Sequence, residues 1–232
     1  MQQNPFIYLR AMRHVDYSVF CVSDGQKTYF DPVFNRQVPY SSGQQVKRSI
    51  LNGVTERLGE QPAPTTFVFE VKNKALGEGE VLSLCDPRYT DQLFGGWMRS
   101  VKGGKEKTLK RRSPLSISAM RAIHPLLASS LSENATFDRS DKPNVHKVIV
   151  RDDKGNILSD EEIASFLNGT DRSLLRKWIP DNKRATGIFV YDVAIDLRTL
   201  FCVSTNTLEP ELKDETISEL KDNGWIESEN VF

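Results

Sequence analysis

The chain has 232 residues, 38% hydrophobic and 27% charged, with 31 basic side chains against 31 acidic ones. That size fits one large domain or a domain with a sizeable insertion, and the composition argues against a disordered or fibrous protein. No apolar run reaches the length of a membrane span, and Met1-Gln2-Gln3-Asn4-Pro5 lacks the charged and apolar regions of a signal peptide, so the cytoplasm is the expected compartment.

The zero net charge hides an uneven distribution. Residues 1–98 balance, residues 99–147 carry roughly +7, and residues 151–232 carry roughly −7. A polyanion held on one face would suit this pattern, as would head-to-tail contact between copies, or a solvated lysine-rich loop compensated elsewhere. Cys21, Cys85 and Cys202 are odd in number and widely spaced, which predicts reduced, mostly buried thiols and argues against a disulfide or a zinc site.

In chain order, Phe6 to Val22 reads as extended, with Ile7, Leu9 and Ala11 alternating against Phe6, Tyr8, Arg10 and Met12. Asp24-Gly25 supplies a hairpin turn into Lys27-Thr28-Tyr29-Phe30, and residues 31–39 read as a proline-bounded loop. The stretch from Tyr40 to Leu51 then predicts a loop entering a helix capped by Ser41 or Ser42. Val46, Ile50, Val54 and Leu58 form its apolar stripe, with Gln45, Arg48, Asn52 and Glu56 opposite. Lys47 falls inside the apolar sector, one turn after Gly43. Either the first turn overhangs a sheet, so that Gly43 admits a phosphate and Lys47 meets it, or the helix is an ordinary one whose lysine snorkels. Gly59 is the expected C-cap.

Residues 65–71 are rich in β-branched and aromatic side chains and predict a strand, after which Gly77-Glu78-Gly79 reads as a connection. Phe94-Gly95-Gly96-Trp97 suits either close backbone approach or a tight turn anchored by Trp97. Residues 101–112 hold Lys102, Lys105, Lys107, Lys110, Arg111 and Arg112 against Glu106 alone, and predict a loop that either orders on phosphate or is merely solvated. Residues 115–123 favour a strand over a helix, with Ser116 and Ser118 leaving room for a backbone and Met120 or Arg121 able to press on a base. Residues 129–145 lack periodicity. Residues 145–151 form a strand, a turn follows at 153–156, and Ser159-Asp160-Glu161-Glu162 opens a capped helix stopped at Gly169. A short helix over 173–178, a strong strand over 187–203 and a helix over 215–223 complete the chain.

Residues 39–48, Asp91-Gln92-Leu93-Phe94-Gly95 and Arg111-Arg112-Ser113-Pro114-Leu115-Ser116-Ile117-Ser118 occur in an informative order. They resemble the first loop-helix, the "D-x-x-F-G" and the "R-x-S-P-x-x-V-S" segments of the repeat-associated (RAMP) backbone subunits of CRISPR effector complexes, the DevR-type seventh Cas family. The 187–203 strand is similar to that family's late "Y-x-V-x-x-D-L" strand. The resemblance implies an α+β fold: a modified ferredoxin-like, RRM-type palm over residues 5–75 and 113–205, with a basic loop at 99–112. A thumb-like insertion at about 129–147 and a helical tail at 206–232 complete the expected single domain.

It further implies a non-catalytic subunit of a type I surveillance complex that oligomerises head to tail along a guide RNA. Its partners would be the guide, a target paired to the guide's bases, and other subunits of the complex. The implied RNA-binding residues are Ser41, Ser42, Gly43, Gln44, Gln45, Lys47, Arg48, Lys102, Lys105, Lys107, Lys110, Arg111, Arg112, Ser116, Ser118, Met120 and Arg121. Phe137 and Arg139 would interrupt the base stack, and no cofactor or metal is expected. Two alternatives stay open. One is an enzyme, a type III-like subunit cleaving target RNA through Asp31 or a repeat-processing ribonuclease using a histidine, and the other is an unrelated α+β interaction protein. His14, His124 and His146 lie in unrelated contexts without a partner nucleophile.

Overall fold

The computed structural model describes residues 5–20, 26–72, 75–100, 107–138, 145–168, 174 and 176–232. The expected turn at Asp24-Gly25, the helix stop at Gly169, and Cys21, Lys102, Lys105 and Arg139 lie outside the described residues. The chain opens with strands β1 (Phe6–Ser18), β2 (Thr28–Asp31) and β3 (Arg36–Ser41), then helix α1 (Gly43–Leu58). Strands β4 (Thr66–Lys72) and β5 (Ala75–Leu82), helix α2 (Thr90–Gly95), and strands β6 (Trp97–Arg99) and β7 (Leu109–Arg111) follow. Next come β8 (Leu115–Ile117), β9 (Met120–Ala122), a 3-10 turn (Pro125–Leu127), β10 (Ala128–Asp138) and β11 (Lys147–Arg151). The last elements are α3 (Asp160–Leu167), β12 (Arg176–Asp196), α4 (Leu197–Leu200) and α5 (Asp214–Asp222). Several antiparallel pairings interspersed with helices make this an α+β fold.

The chain divides into two compact units, each discontinuous in sequence. The first comprises residues 1–53, 114–139 and 175–197. Its sheet has the order β1-β12-β9-β3-β2, with β8 and β10 also paired to β12. β12 is the spine because Phe189, Tyr191, Val193 and Ile195 repeat at the strand period, which buries one face while the backbone pairs on both edges. β1 runs antiparallel along one edge, from Phe6 opposite Asp196 to Ser18 opposite Ala185. β8, β9 and β10 share the other edge. Beyond Arg184, β12 pairs only with β10 among the described residues, as far as Asp138 opposite Arg176, and the two strands form an arm. Val15, Val38, Val46, Met120, Ala185 and Phe189 make the core, with Phe20 edge-on to Phe189 at 5.2 Å between ring centroids.

Four expectations change in this unit. Residues 31–39 are a β2–β3 hairpin, not a loop, because the Asp31 carboxylate accepts from the N–H groups of Val33 and Phe34 at 3.0 Å and closes the turn. Residues 129–138 are strand, not irregular, and residues 176–178 belong to β12, not to a helix. Ladder hydrogen bonds with a single partner supply what apolar periodicity does not. The late strand ends at Asp196, and α4 takes the chain onward.

The second unit comprises residues 54–113, 140–174 and 198–232. Its three-stranded sheet runs β11-β4-β5, parallel between β11 and β4 and antiparallel between β4 and β5. Gly77 and Gly79 are therefore strand residues, not a connection, and a Cβ on Gly79 would stand 2.8 Å from the Val68 carbonyl oxygen. A second core gathers Cys85, Trp97, Leu109, Val203, Leu212 and Leu220. Gly96 has φ +69°, and a Cβ there would lie 2.6 Å from both the Arg111 carbonyl oxygen and the Ser113 nitrogen. Only glycine fits that crossing. The expected capping box at Ser159 and Glu162 is present. Burial pushes the Cys85 thiol up to about 11, whereas Cys202 is exposed, against the expectation of mostly buried thiols. No described helix is long and apolar enough to cross a membrane.

Candidate nucleic-acid interface

The loop-helix singled out in the sequence is held in the first unit by β3, which pairs Tyr40 with Arg121 and Ser41 with Met120. Ser42 is the N-cap: its hydroxyl accepts from the Gln45 N–H at 3.4 Å and its carbonyl from Val46 at 3.1 Å. Gly43 then seats the first turn directly on the β8–β9 junction, where a Cβ would be driven into the Ile117 carbonyl and the Ser118 backbone. The space expected to admit a phosphate is taken by the protein's own chain. The consequence is positional, since two segments far apart in sequence meet at one rim of the sheet.

Gln44 and Arg48 are exposed on the helix, while Ser42, Gln45 and Lys47 are half-buried. Burial alone lowers the Lys47 ammonium below its usual range. Ser41 is buried beneath the helix, and so is Met120. Met120 cannot press on a base, because a break at Ser118-Ala119 resets the strand alternation. Ser118 fixes that break: its N–H donates to the Asp192 carbonyl and its hydroxyl accepts from the Asp192 N–H, both at 2.9 Å.

Ser116 and Arg121 are exposed on the sheet face away from α1. Arg10, Met12 and His14 share that face by register, and Arg10 is held by Asp192 at 2.6 Å. The sequence alone does not assign Arg10 or His14 to this surface. Only the pairing of β1 with β12 reveals it.

The remaining cations belong to the second unit. Lys110 and Arg112 are exposed, and the Lys107 ammonium donates to the Thr207 carbonyl at 2.8 Å. Arg111 is not available to phosphate. Its side chain is fully buried, stands over the Trp97 ring at 5.3 Å, and donates to the carbonyls of Leu93 and Thr199. Burial lowers its pKa, and the carboxylate of Glu211 stands 3.7 Å away. The stretch expected to be a loop, ordered on phosphate or merely solvated, thus ends in a strand with Leu109 and Arg111 inward. In the arm of the first unit, Phe137 stands opposite Lys177 in register.

His124 accepts from the Leu126 N–H at 3.2 Å and meets Phe34 edge-on, and His146 meets Phe67. Among the described residues no group of three or more His, Cys, Asp or Glu could hold a metal ion. No family model matches the chain, and no curated protein does either. A solved chain to which it is similar is described as "CRISPR RNA-guided surveillance complex, pre-nicking", at 10% sequence identity and a TM-score of 0.45. The match covers 84% of this chain and 65% of that one, so this chain spans less than two thirds of its length.

Proposed function

We propose that this chain is a non-catalytic, guide-RNA-binding backbone subunit of a CRISPR surveillance complex, polymerising head to tail along its guide. The observation that carries the reading is the seating of α1 on the β8–β9 junction. It joins two of the segments that resemble the RAMP backbone family at one rim, with Gln44 and Arg48 exposed on the helix and Ser116 and Arg121 exposed on the opposite face of the sheet. Those side chains offer cationic and neutral donors to a sugar-phosphate backbone without reading base edges, so that sequence would be left to base pairing.

The arm supports the role expected of a thumb, a ribbon that holds a strand apart from its stacked neighbours. Asp31 is engaged in closing its hairpin turn, which favours a structural over a catalytic aspartate. The test is co-expression with a guide RNA, followed by purification at low salt and nuclease footprinting. A particle protecting the guide at a regular repeat is the expected result. An RNA-free monomer under every co-expression tried would overturn it in favour of an unrelated interaction protein.

A further inference from the structure

In the first unit β1 is paired to β12 along one side, and among the described residues no strand is paired to its other side. An edge strand turns alternate N–H and C=O groups outward, where a further strand can meet them. From Ile7 to His14 this edge has none of the features that discourage such pairing. It holds no proline and no lysine, its register to β12 is unbroken, and Arg10 leans across its own sheet to Asp192 at 2.6 Å. Ile7, Tyr8, Leu9 and Met12 are between 43% and 68% exposed and project on both faces of the sheet.

We propose that a second copy of this chain adds its β1 to this edge, antiparallel and about a two-fold axis at Ala11, so that the two sheets run on as one. Opposed residues in antiparallel strands share a face, so the axis of a self-paired strand falls on a residue, and moving it by one residue shifts every pairing by two. An axis at Arg10 or at Arg13 sets two arginines against each other, and one at Met12 sets Arg10 against His14. The axis at Ala11 opposes Leu9 to Arg13, Arg10 to Met12, Tyr8 to His14 and Ile7 to Val15. It gives the longest ladder in which no two basic residues face each other. One stretch thus supplies both a bare edge and the complement to it. A two-fold contact closes on two copies, so it is distinct from the head-to-tail contact proposed above and needs no RNA.

The experiment is analytical sedimentation of the RNA-free full chain from low to high micromolar concentration, where a monomer–dimer equilibrium is expected. Leu9→Lys, at an exposed position, sets a second positive charge opposite Arg13 twice per dimer and is expected to weaken the dimer about fivefold. Adding Arg13→Glu is expected to restore it. Register is read with a short bismaleimide on a Cys202→Ser parent, which lacks the exposed thiol. Ala11→Cys is expected to cross-link two copies across the axis. Tyr8→Cys is expected to add nothing to the parent, because its two copies stand about 20 Å apart along the ladder. A chain that stays monomeric, a dimer that Leu9→Lys leaves intact or Arg13→Glu does not restore, or equal cross-linking at the two positions overturns the proposal.

Discussion

Two glycines show how differently one residue type is used. Gly96 combines a left-handed φ with backbone on every side, so Gly96→Ala should cost about 2–4 kcal/mol in urea unfolding. Gly53 lies within α1, and a methyl group there would meet nothing within 4 Å, so Gly53→Ala should instead stabilise by about 0.5–1 kcal/mol. Asp31 sits between structural and catalytic readings. Because its carboxylate closes the β2–β3 turn, Asp31→Ala should lower stability by about 1 kcal/mol and leave RNA affinity unchanged. Loss of a metal-dependent RNA cleavage in that variant would instead establish the enzymatic reading.

At the scale of elements, legibility follows from how local the cause is. The start of α1 could be read because a serine cap is settled within a few residues, and the capping box of α3 for the same reason. The middle of β12 was visible through its strict alternation. The inward turn of Met120 was not, since it depends on Ser118 bonding to Asp192 of another strand. Arg111 looked like its basic neighbours until Trp97 and the carbonyls of Leu93 in α2 and Thr199 in α4 enclosed it. The cleft between α1 and the end of β1 draws on β1, α1, β9 and β12 at once, and no spacing along the chain announces such a set. The rim has its own prediction: Arg48→Glu and Arg121→Glu should each weaken guide-RNA retention several-fold and together abolish it, with the unfolding midpoint unchanged, as both side chains are exposed. Full retention by the double variant would remove the rim from the interface.

For the whole molecule, balanced net charge coexists with a basic middle and an acidic final third. Binding that depends on two or three phosphate contacts should weaken about tenfold between about 50 and 200 mM salt, readable from anisotropy titrations. Salt-insensitive binding would mean that the cations are only solvated. The overall class, α+β, was legible in the succession of elements, whereas the division into two discontinuous units was not, because it depends on pairings between distant parts of the chain.

The position of β12 in the sequence also bears on synthesis. β1, β8, β9 and β10 all pair with a strand that leaves the ribosome after them, so the first sheet cannot close until residue 196 has emerged. At about 5–20 residues per second, β1 waits on the order of ten seconds or more with its pairing edge unmet. Val15, buried once the sheet closes, is then open to any neighbouring nascent chain, beside Ile7, Tyr8, Leu9 and Met12, which stay exposed in the finished fold. Yield in cells should therefore depend on chaperone supply during translation more than on the stability of the finished fold.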